Sequence, residues 1–383
     1  MIYLDYNAST PCDPRVVEAM LPYFSRHYGN PSSQEHAFGR TAASAVETAR
    51  GHVAQLINAH PQEILFTSGA TESNNLAITG VIQANQAGRC KILTTKIEHK
   101  SVLEPIMRAA EFGYEVDFMP VDSTGKVDLE RAAELITEDT ALVSVQAANN
   151  EIGTVQDIKA LAALADEKGA LFHCDAAQAV GKIDVDVDEW AVDFLSISAH
   201  KLYGPKGVGA LYVRGGRRRA PLMPLLFGGG QEDGLRAGTL NVPGIVGFGE
   251  ACRILLQSWR EEAQRVSELR DRFEAALAER IPTVVFNGHP VERLPGTTSV
   301  TFPGIDAEAL IVNTTDLALS TGSACNSGAL EPSYVLLAIG LDRTRAYQTF
   351  RAGIGRFTTS DEIDAAVEQI TAAVERMQRL RST

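Results

Sequence analysis

Lys201 lies in SISAHKLYGPKG, directly after an apolar run and before a turn built from Gly204, Pro205 and Gly207. A lysine held by such fixed backbone is suited to forming a Schiff base with a carbonyl group and exchanging it for a substrate amine. Asp175 closes another apolar run, in HCDAAQAVGK, where a buried carboxylate has to be neutralised or paired. A protonated pyridine-type nitrogen is one suitable partner, and Gln178, three residues on, is spaced to donate to a ring oxygen. In TSGATESNN, Ser68, Gly69, Ala70 and Thr71 lie between a strand-like run and a helical one. Small residues there let the backbone N–H groups of a helix start approach a phosphate closely. Neither GxGxxG nor a GK[ST] loop is present, so this is no dinucleotide or Walker motif. Together these three sites describe what pyridoxal 5'-phosphate requires.

Further residues fit around that group. His99, in KIEHKSVLEP, follows a strand-like run and opens a helical one, the edge of an open α/β sheet at which ligands bind. Its ring could stack on a cofactor. Asn149, Asn150 and Glu151 in ANNEIG sit at a similar strand end, with amides that could meet a ring oxygen or the substrate. Cys325, in LALSTGSACNSG, is surrounded by Ser, Gly, Ala and Asn, the residues of an exposed loop. A thiol in that setting is a candidate nucleophile although no cation lies near it in sequence. Arg351 in FRAGIGR offers a bidentate fork for a carboxylate. Each motif also has an ordinary structural reading. These are a surface lysine, an N-cap at Asp175, a capping box at Ser68 or Thr71 with Glu72, a satisfied histidine, a turn at ANNEIG and a surface arginine.

The elements that must hold these residues follow a βαβ rhythm. EILFTS, CKILTT, ALVSVQAA and ALFHCDAA alternate with helical segments such as SVLEPIMRAAEF and IKALAALADEK, and FLSISAH and GVGALYVR add two strands. Apolar runs flanked in this way are buried on both faces, which predicts an α/β fold with a mainly parallel sheet. SWREEAQRVSELRDRFEAALAER reads as one long amphipathic helix and as the boundary element. TVVFNG, TTSVTFP, AEALIVNT and the closing SDEIDAAVEQITAAVERMQRL then predict a smaller α+β domain. The expected division is a large domain over residues 13–258 and a small one built from 1–12 and 259–383, carrying the Cys325 loop.

With 383 residues the chain exceeds the usual single-domain size. Its net charge of -13 would repel a phosphate backbone, so no direct nucleic-acid role is expected, and the run Arg217, Arg218, Arg219 reads as a solvated turn. No apolar stretch reaches membrane-spanning length and no signal-like N-terminus is present, which predicts a cytoplasmic protein without membrane contact. Cys12, Cys90, Cys174, Cys252 and Cys325 are odd in number and scattered without CxxC spacing. That pattern fits a reducing compartment and argues against a metal site.

The motifs, taken in order, resemble the cysteine desulfurases, a branch of the fold-type I, class V aminotransferase-like pyridoxal-phosphate enzymes. The likeness runs from YLDYNASTP and YGNPSS through SGATESNN, EHKSV, NNEIG, HCDAAQ, SAHKLYGPKG and RAGT to TGSAC, LEPSYVL and GRFTT. By this resemblance Lys201 is the Schiff-base lysine, Asp175 the pyridinium partner, Gln178 and Asn150 ring contacts, and His99 a stacking ring that also handles protons. Ala70, Thr71, Ser198 and His200 would hold the phosphate, with Thr239 of RAGT supplied by the other subunit of a homodimer. Cys325 would accept sulfur as a persulfide, and Arg351 would grip the substrate carboxylate with Asn30 close by. TGSAC is similar to the branch whose catalytic cysteine rides on a flexible loop, and the RxGHHC-like context of the other branch is absent. YLDYNAST, HCDAAQ and CNSG depart from commoner wordings without removing a catalytic group.

The implied reaction converts L-cysteine to L-alanine and leaves the sulfur on Cys325 for an acceptor protein. The end of the sequence at RLRST, without the C-terminal extension of housekeeping iron–sulfur members, leaves that acceptor open. Iron–sulfur assembly, tRNA thiolation and DNA sulfur modification are the alternatives. Rival readings are an aminotransferase or selenocysteine lyase on the same scaffold, or a non-catalytic sulfur-relay subunit. The intact Lys201, Asp175 and His99 argue against the last.

Overall fold

The computed structural model describes residues 1–84, 88–219, 221–322 and 331–381. Its centre is a seven-stranded sheet in the order Ile64–Thr67, Gly209–Val213, Phe194–Ser198, Leu171–Asp175, Thr140–Gln146, Lys91–Thr95 and Glu115–Met119. All neighbours pair in parallel except Gly209–Val213, which is antiparallel to both strands beside it. FLSIS and GALYV are buried at every position, and ILFT likewise. Helices cover both faces, as continuous apolar strands require. On one side Leu76 and Ile78 of helix Ala70–Ala84 meet Val102 and Ile106 of helix Lys100–Ala109. On the other, Val46 and Val53 of helix Ala37–Leu56 and Leu161 of helix Ile158–Glu167 pack with Phe66, Val143 and Phe172.

Six strands with a common direction therefore end along one edge, five of them at candidate site residues. Their carboxyl ends lead into Ser68, His99, Asn149, Asp175 and Lys201, the position at which open α/β sheets bind ligands. The mainly parallel α/β fold expected from the sequence is the one observed.

The long helix differs from expectation. It begins at Val242, not near Ser258, and runs 39 residues to Arg280, about 58 Å at 1.5 Å per residue. Asn241 caps it and Pro243 sits in its first turn. Gly244, Gly247 and Gly249 hide the helical pattern in the sequence, and at Gly249 close packing demands the glycine: a Cβ there would lie 2.5 Å from Ala49. Phe248, Cys252 and Leu255 join the large core. Farther along, Val266, Leu269, Phe273 and Leu277 belong to a second core. That core also holds Leu4, the antiparallel strands Thr349–Gly353, Thr297–Thr301 and Val285–Asn287, and helix Ser360–Arg381. Helix Ala37–Leu56 and strands Glu115–Met119 and Thr349–Gly353 were not read from the sequence. Among the described residues no helix is long and apolar enough to cross a membrane.

Candidate active site

A cleft of about 1180 Å³ opens along the carboxyl edge of the sheet. Lys201 reaches it from a single 3-10 turn, Ala199–Lys201, that follows strand Phe194–Ser198. The turn is held by an unusual backbone: Tyr203 has φ 62°, and a Cβ at Gly204 would lie 2.9 Å from the Ala199 carbonyl oxygen. The Lys201 amine donates to the carbonyl oxygens of Asn7 and Ala8, the latter at 2.8 Å.

Asp175 is 7% exposed at the end of its strand. Its Oδ1 accepts the Ala177 N–H at 3.0 Å and its Oδ2 the Asn74 side-chain amide at 2.8 Å. No helix begins there, so the N-cap alternative falls, and among the described residues no basic side chain forms an ion pair with this carboxylate. Asn74 also donates to Ser101 Oγ at 2.8 Å, and Ser101 Oγ lies 2.7 Å from His99 Nδ1. His99 caps helix Lys100–Ala109 by accepting the Ser101 N–H on the same nitrogen, which assigns the remaining proton of the neutral ring to Nε2. Burial lowers the His99 pKa, and the neighbouring Lys201 adds to that shift while Asp175 opposes it. The result is a neutral ring tied to the Asp175 carboxylate through Ser101 and Asn74.

At the other end, Ser68, Gly69, Ala70, Thr71, Ser198 and His200 line the cleft. Gly69 has φ 150°, and helix Ala70–Ala84 starts directly after it. Ser68 does not cap that helix. Its N–H donates to Glu72 at 2.7 Å, and Thr67 Oγ1 accepts the Gly69 N–H at 3.3 Å. Glu72 in turn pairs with Arg236 of the RAGT segment at 2.9 Å. His200 is lowered to about 4, by burial first and then by Lys201, Lys206 and Lys182, so its ring is neutral too.

Arg351 comes from strand Thr349–Gly353 and is buried. One Nη donates to Asp5 at 2.7 Å and the other to the Asn150 carbonyl at 2.9 Å, while Nε is buried without a partner among the described residues. Gln178 is engaged at both ends, donating to the Asn7 carbonyl at 2.9 Å and accepting from Lys182 at 3.0 Å. Asn150 lines the cleft, as does Glu151, whose pKa burial raises and which accepts the Ser333 hydroxyl.

The structure thus gathers Lys201, Asp175, Gln178, Asn150, Ala70, Thr71, Ser198, His200, His99 and Arg351 around one cavity. Thr239 and Asn30 are exposed and do not line it, and Asn30 accepts the Ser32 N–H at 3.0 Å. Cys325 lies outside the described residues. Asn74 and Ser101 were missed in the sequence, where the available signal was a poor helix former repeated inside a helical run, ATESNN. The residues present fit pyridoxal 5'-phosphate. A buried carboxylate held only by amide donors, an Asn74 Oδ1 left without a partner beside it, and a Gly-containing helix start at the far end match a cationic ring nitrogen and an anion.

Residues 2–366 match the family described as Aminotransferase class-V. The chain is 48% identical over 382 residues to "Cysteine desulfurase, mitosomal" of Trachipleistophora hominis, covering 98% of this chain and 86% of that protein. It is also 48% identical over 379 residues to "Cysteine desulfurase IscS" of Rickettsia bellii (strain OSU 85-389), covering 99% and 92%. Among solved structures, a "NIFS-LIKE PROTEIN" superposes with a TM-score of 0.91 at 38% identity, covering 98% of this chain and 99% of the other. "SspA in complex with cysteine" gives 0.83 at 38% identity, covering 94% and 100%.

Proposed function

The chain belongs to the class-V aminotransferase family, and from that premise we propose that it is a cysteine desulfurase that moves the sulfur of free L-cysteine onto its own Cys325, releasing L-alanine. The observation that carries this reading is the convergence in one cleft of the Lys201 amine, the buried Asp175 carboxylate and Arg351, the last two with no basic partner and no Nε partner respectively among the described residues. Relatives named cysteine desulfurase cover nearly the whole chain and support it.

Pyridoxal 5'-phosphate, when bound, supplies the electron sink that weakens the bonds to the α-carbon of the amino acid. Lys201 would hold it covalently, with Asp175 at its ring nitrogen and Asn150 and Gln178 near its ring oxygen. Ala70, Thr71, Ser198 and His200 would hold its phosphate. The neutral rings of His99 and His200 suit those places: His99 can stack without repelling a cationic ring, and His200 can donate one hydrogen bond without carrying charge. Arg351 meets the substrate carboxylate with the Nε that no described residue engages, Asp5 keeping the guanidinium in orientation. Lys201, once free of the cofactor, would be the base for the α-proton, and His99 would shuttle a proton near the substrate sulfur. The Cys325 thiolate then attacks the substrate sulfur. An S–S bond forms, the C–S bond breaks with its electron pair left on carbon, and a proton completes alanine.

The two hydrophobic cores support reading the chain as a large domain, 13–258, and a small one, 1–12 with 259–383, sharing the long helix. A homodimer, in which Thr239 serves a neighbouring cleft, accounts for its exposure here, whereas Asn30, expected beside Arg351, does not line the cleft. The acceptor is a protein able to reach Cys325, and a cytoplasmic setting fits five scattered cysteines. With L-cysteine and a dithiol but no oxo acid, the holoenzyme should form alanine and sulfide in equal amounts. Activity only with an added oxo acid would assign an aminotransferase instead.

A further inference from the structure

Behind the cleft lies a second, smaller cavity of about 30 Å³, room for a water or two, lined by Asn7, Lys182 and Lys201 together with Tyr6, Tyr203 and Glu262. No step of the reaction derived above uses Lys182. Its amine donates to Gln178 Oε1 at 3.0 Å, Gln178 Nε2 donates to the Asn7 carbonyl at 2.9 Å, and that same carbonyl accepts from the Lys201 amine. One chain of hydrogen bonds therefore joins two lysine amines through a neutral amide and a backbone carbonyl. The direction of the Gln178 amide follows from it. A backbone carbonyl can only accept, so Nε2 must face Asn7 and Oε1 must face Lys182.

The charges around Lys182 are largely committed elsewhere. Glu262, the carboxylate nearest in kind, accepts Arg356 Nε at 2.8 Å, and the Arg356 guanidinium stacks 4.0 Å from the centre of the Tyr203 ring. Arg351 is paired with Asp5. Among the described residues Lys182 forms no ion pair of its own. Its pKa is lowered to about 7, by burial first, then by Lys201 and Arg351, with Glu262 opposing. An interaction of two titrating groups acts equally on both, so whatever Lys201 does to Lys182, Lys182 does to Lys201.

We propose that Lys182 is a positioning residue for the reaction: it fixes the Gln178 amide and, as a cation behind the Lys201 nitrogen, lowers that nitrogen's affinity for a proton. The consequence for function is that Lys201 is held in the neutral form in which it can act as nucleophile and base near neutral pH. The proposal rests on the reading of Lys201 as the cofactor-binding lysine.

The test is an absorbance titration of the holoenzyme, whose visible band follows the proton on the Lys201 nitrogen, in the parent and in two variants. Lys182→Arg keeps a permanent charge, and Lys182→Gln keeps a donor for Gln178 without any charge. The midpoint should fall in Lys182→Arg and rise in Lys182→Gln, the two separated by about one pH unit or more. Midpoints that coincide in all three proteins, or a reversed order, overturn the proposal. If either variant fails to fold, the direction of shift in the other decides alone. Borohydride reduction and peptide mapping of the parent separates the two levels. A label on a lysine other than Lys201 sinks the cofactor assignment itself, whereas a label on Lys201 with unmoved midpoints sinks only the role of Lys182.

Discussion

His173 lies two residues before Asp175, fully buried, with Nδ1 2.8 Å from Ser144 Oγ and Nε2 3.0 Å from Ser196 Oγ. Burial lowers its pKa to about 4, so the folded protein holds a neutral ring beneath the site, as it does at His99 and His200. In the unfolded chain the same ring titrates near about 6.5. As pH falls from that value toward 4, the unfolded state takes up a proton that the folded state refuses, and stability drops. By pH 5 this one group should cost about 2 kcal/mol relative to pH 7. Urea unfolding of His173→Gln at the two pH values should show a loss smaller than the parent's by about that amount, and equal losses would contradict the account. The sequence HCDAAQ announced the aspartate through its place at a strand end, but it said nothing of the histidine. Whether an imidazole is a ligand or a satisfied core group depends on hydroxyls contributed by neighbouring strands, here from Ser144 and Ser196, and those pairings are not local. The same reason hid Asn74 and Ser101, whose roles arise from contacts across 101 and 27 positions of chain.

Among the elements, the segment Gln231–Gly234 shows how the edge of the site is fastened. Glu232 adopts φ 49° and is buried, and its carboxylate takes both a 2.7 Å and a 2.8 Å bond from Arg50 of helix Ala37–Leu56 and the N–H of Phe66 at 2.9 Å. Arg50 also stacks over the Phe66 ring at 4.6 Å. This buried pair ties the segment leading into RAGT to strand Ile64–Thr67, whose end forms the Ser68–Thr71 turn. Removing Arg50 leaves the buried Glu232 carboxylate with only the longer 3.6 Å ion pair to Arg217 among the described residues, so Arg50→Met should cost about 3 kcal/mol. The double variant Arg50→Met with Glu232→Leu should recover part of that loss in thermal unfolding, since both buried charges are then gone. A double variant no more stable than the single one would contradict it. Helix Ala37–Leu56 went unread in the sequence because small residues, Gly39, Ala42, Ala49 and Ala54, make up much of its buried face, and the start of Val242–Arg280 was concealed by Gly244, Gly247 and Gly249, the last in contact with Ala49 of that helix. The parallel strands were legible because burial on both faces leaves an apolar signature that needs no knowledge of neighbours. Arg351 was read as a fork for a carboxylate, and the competing reading as a surface arginine falls because it is buried on a strand, with one arm paired with Asp5.

For the molecule as a whole, Thr239 is exposed and outside the cleft of its own chain, and the proposed homodimer would bring it to a second copy's site. Two-fold pairing is the commonest closed assembly, and sedimentation should find the loaded protein as a homodimer, with an active monomer at low concentration as the contrary result. The central claim remains the path of the sulfur. Cys174 and Cys252 are fully buried, with thiol pKa values raised by burial, and burial also raises that of Cys12, which is partly exposed. Cys90 is exposed but does not line the cleft. In sequence, Cys325 falls between Ser320 and Ser333, both of which line the cavity that holds Lys201. The most direct measurement is peptide mass spectrometry of the holoenzyme after brief exposure to L-cysteine and alkylation. One additional sulfur atom on the Cys325 peptide is the expected result, and extra sulfur on another cysteine, or on none while alanine still forms, would contradict the account.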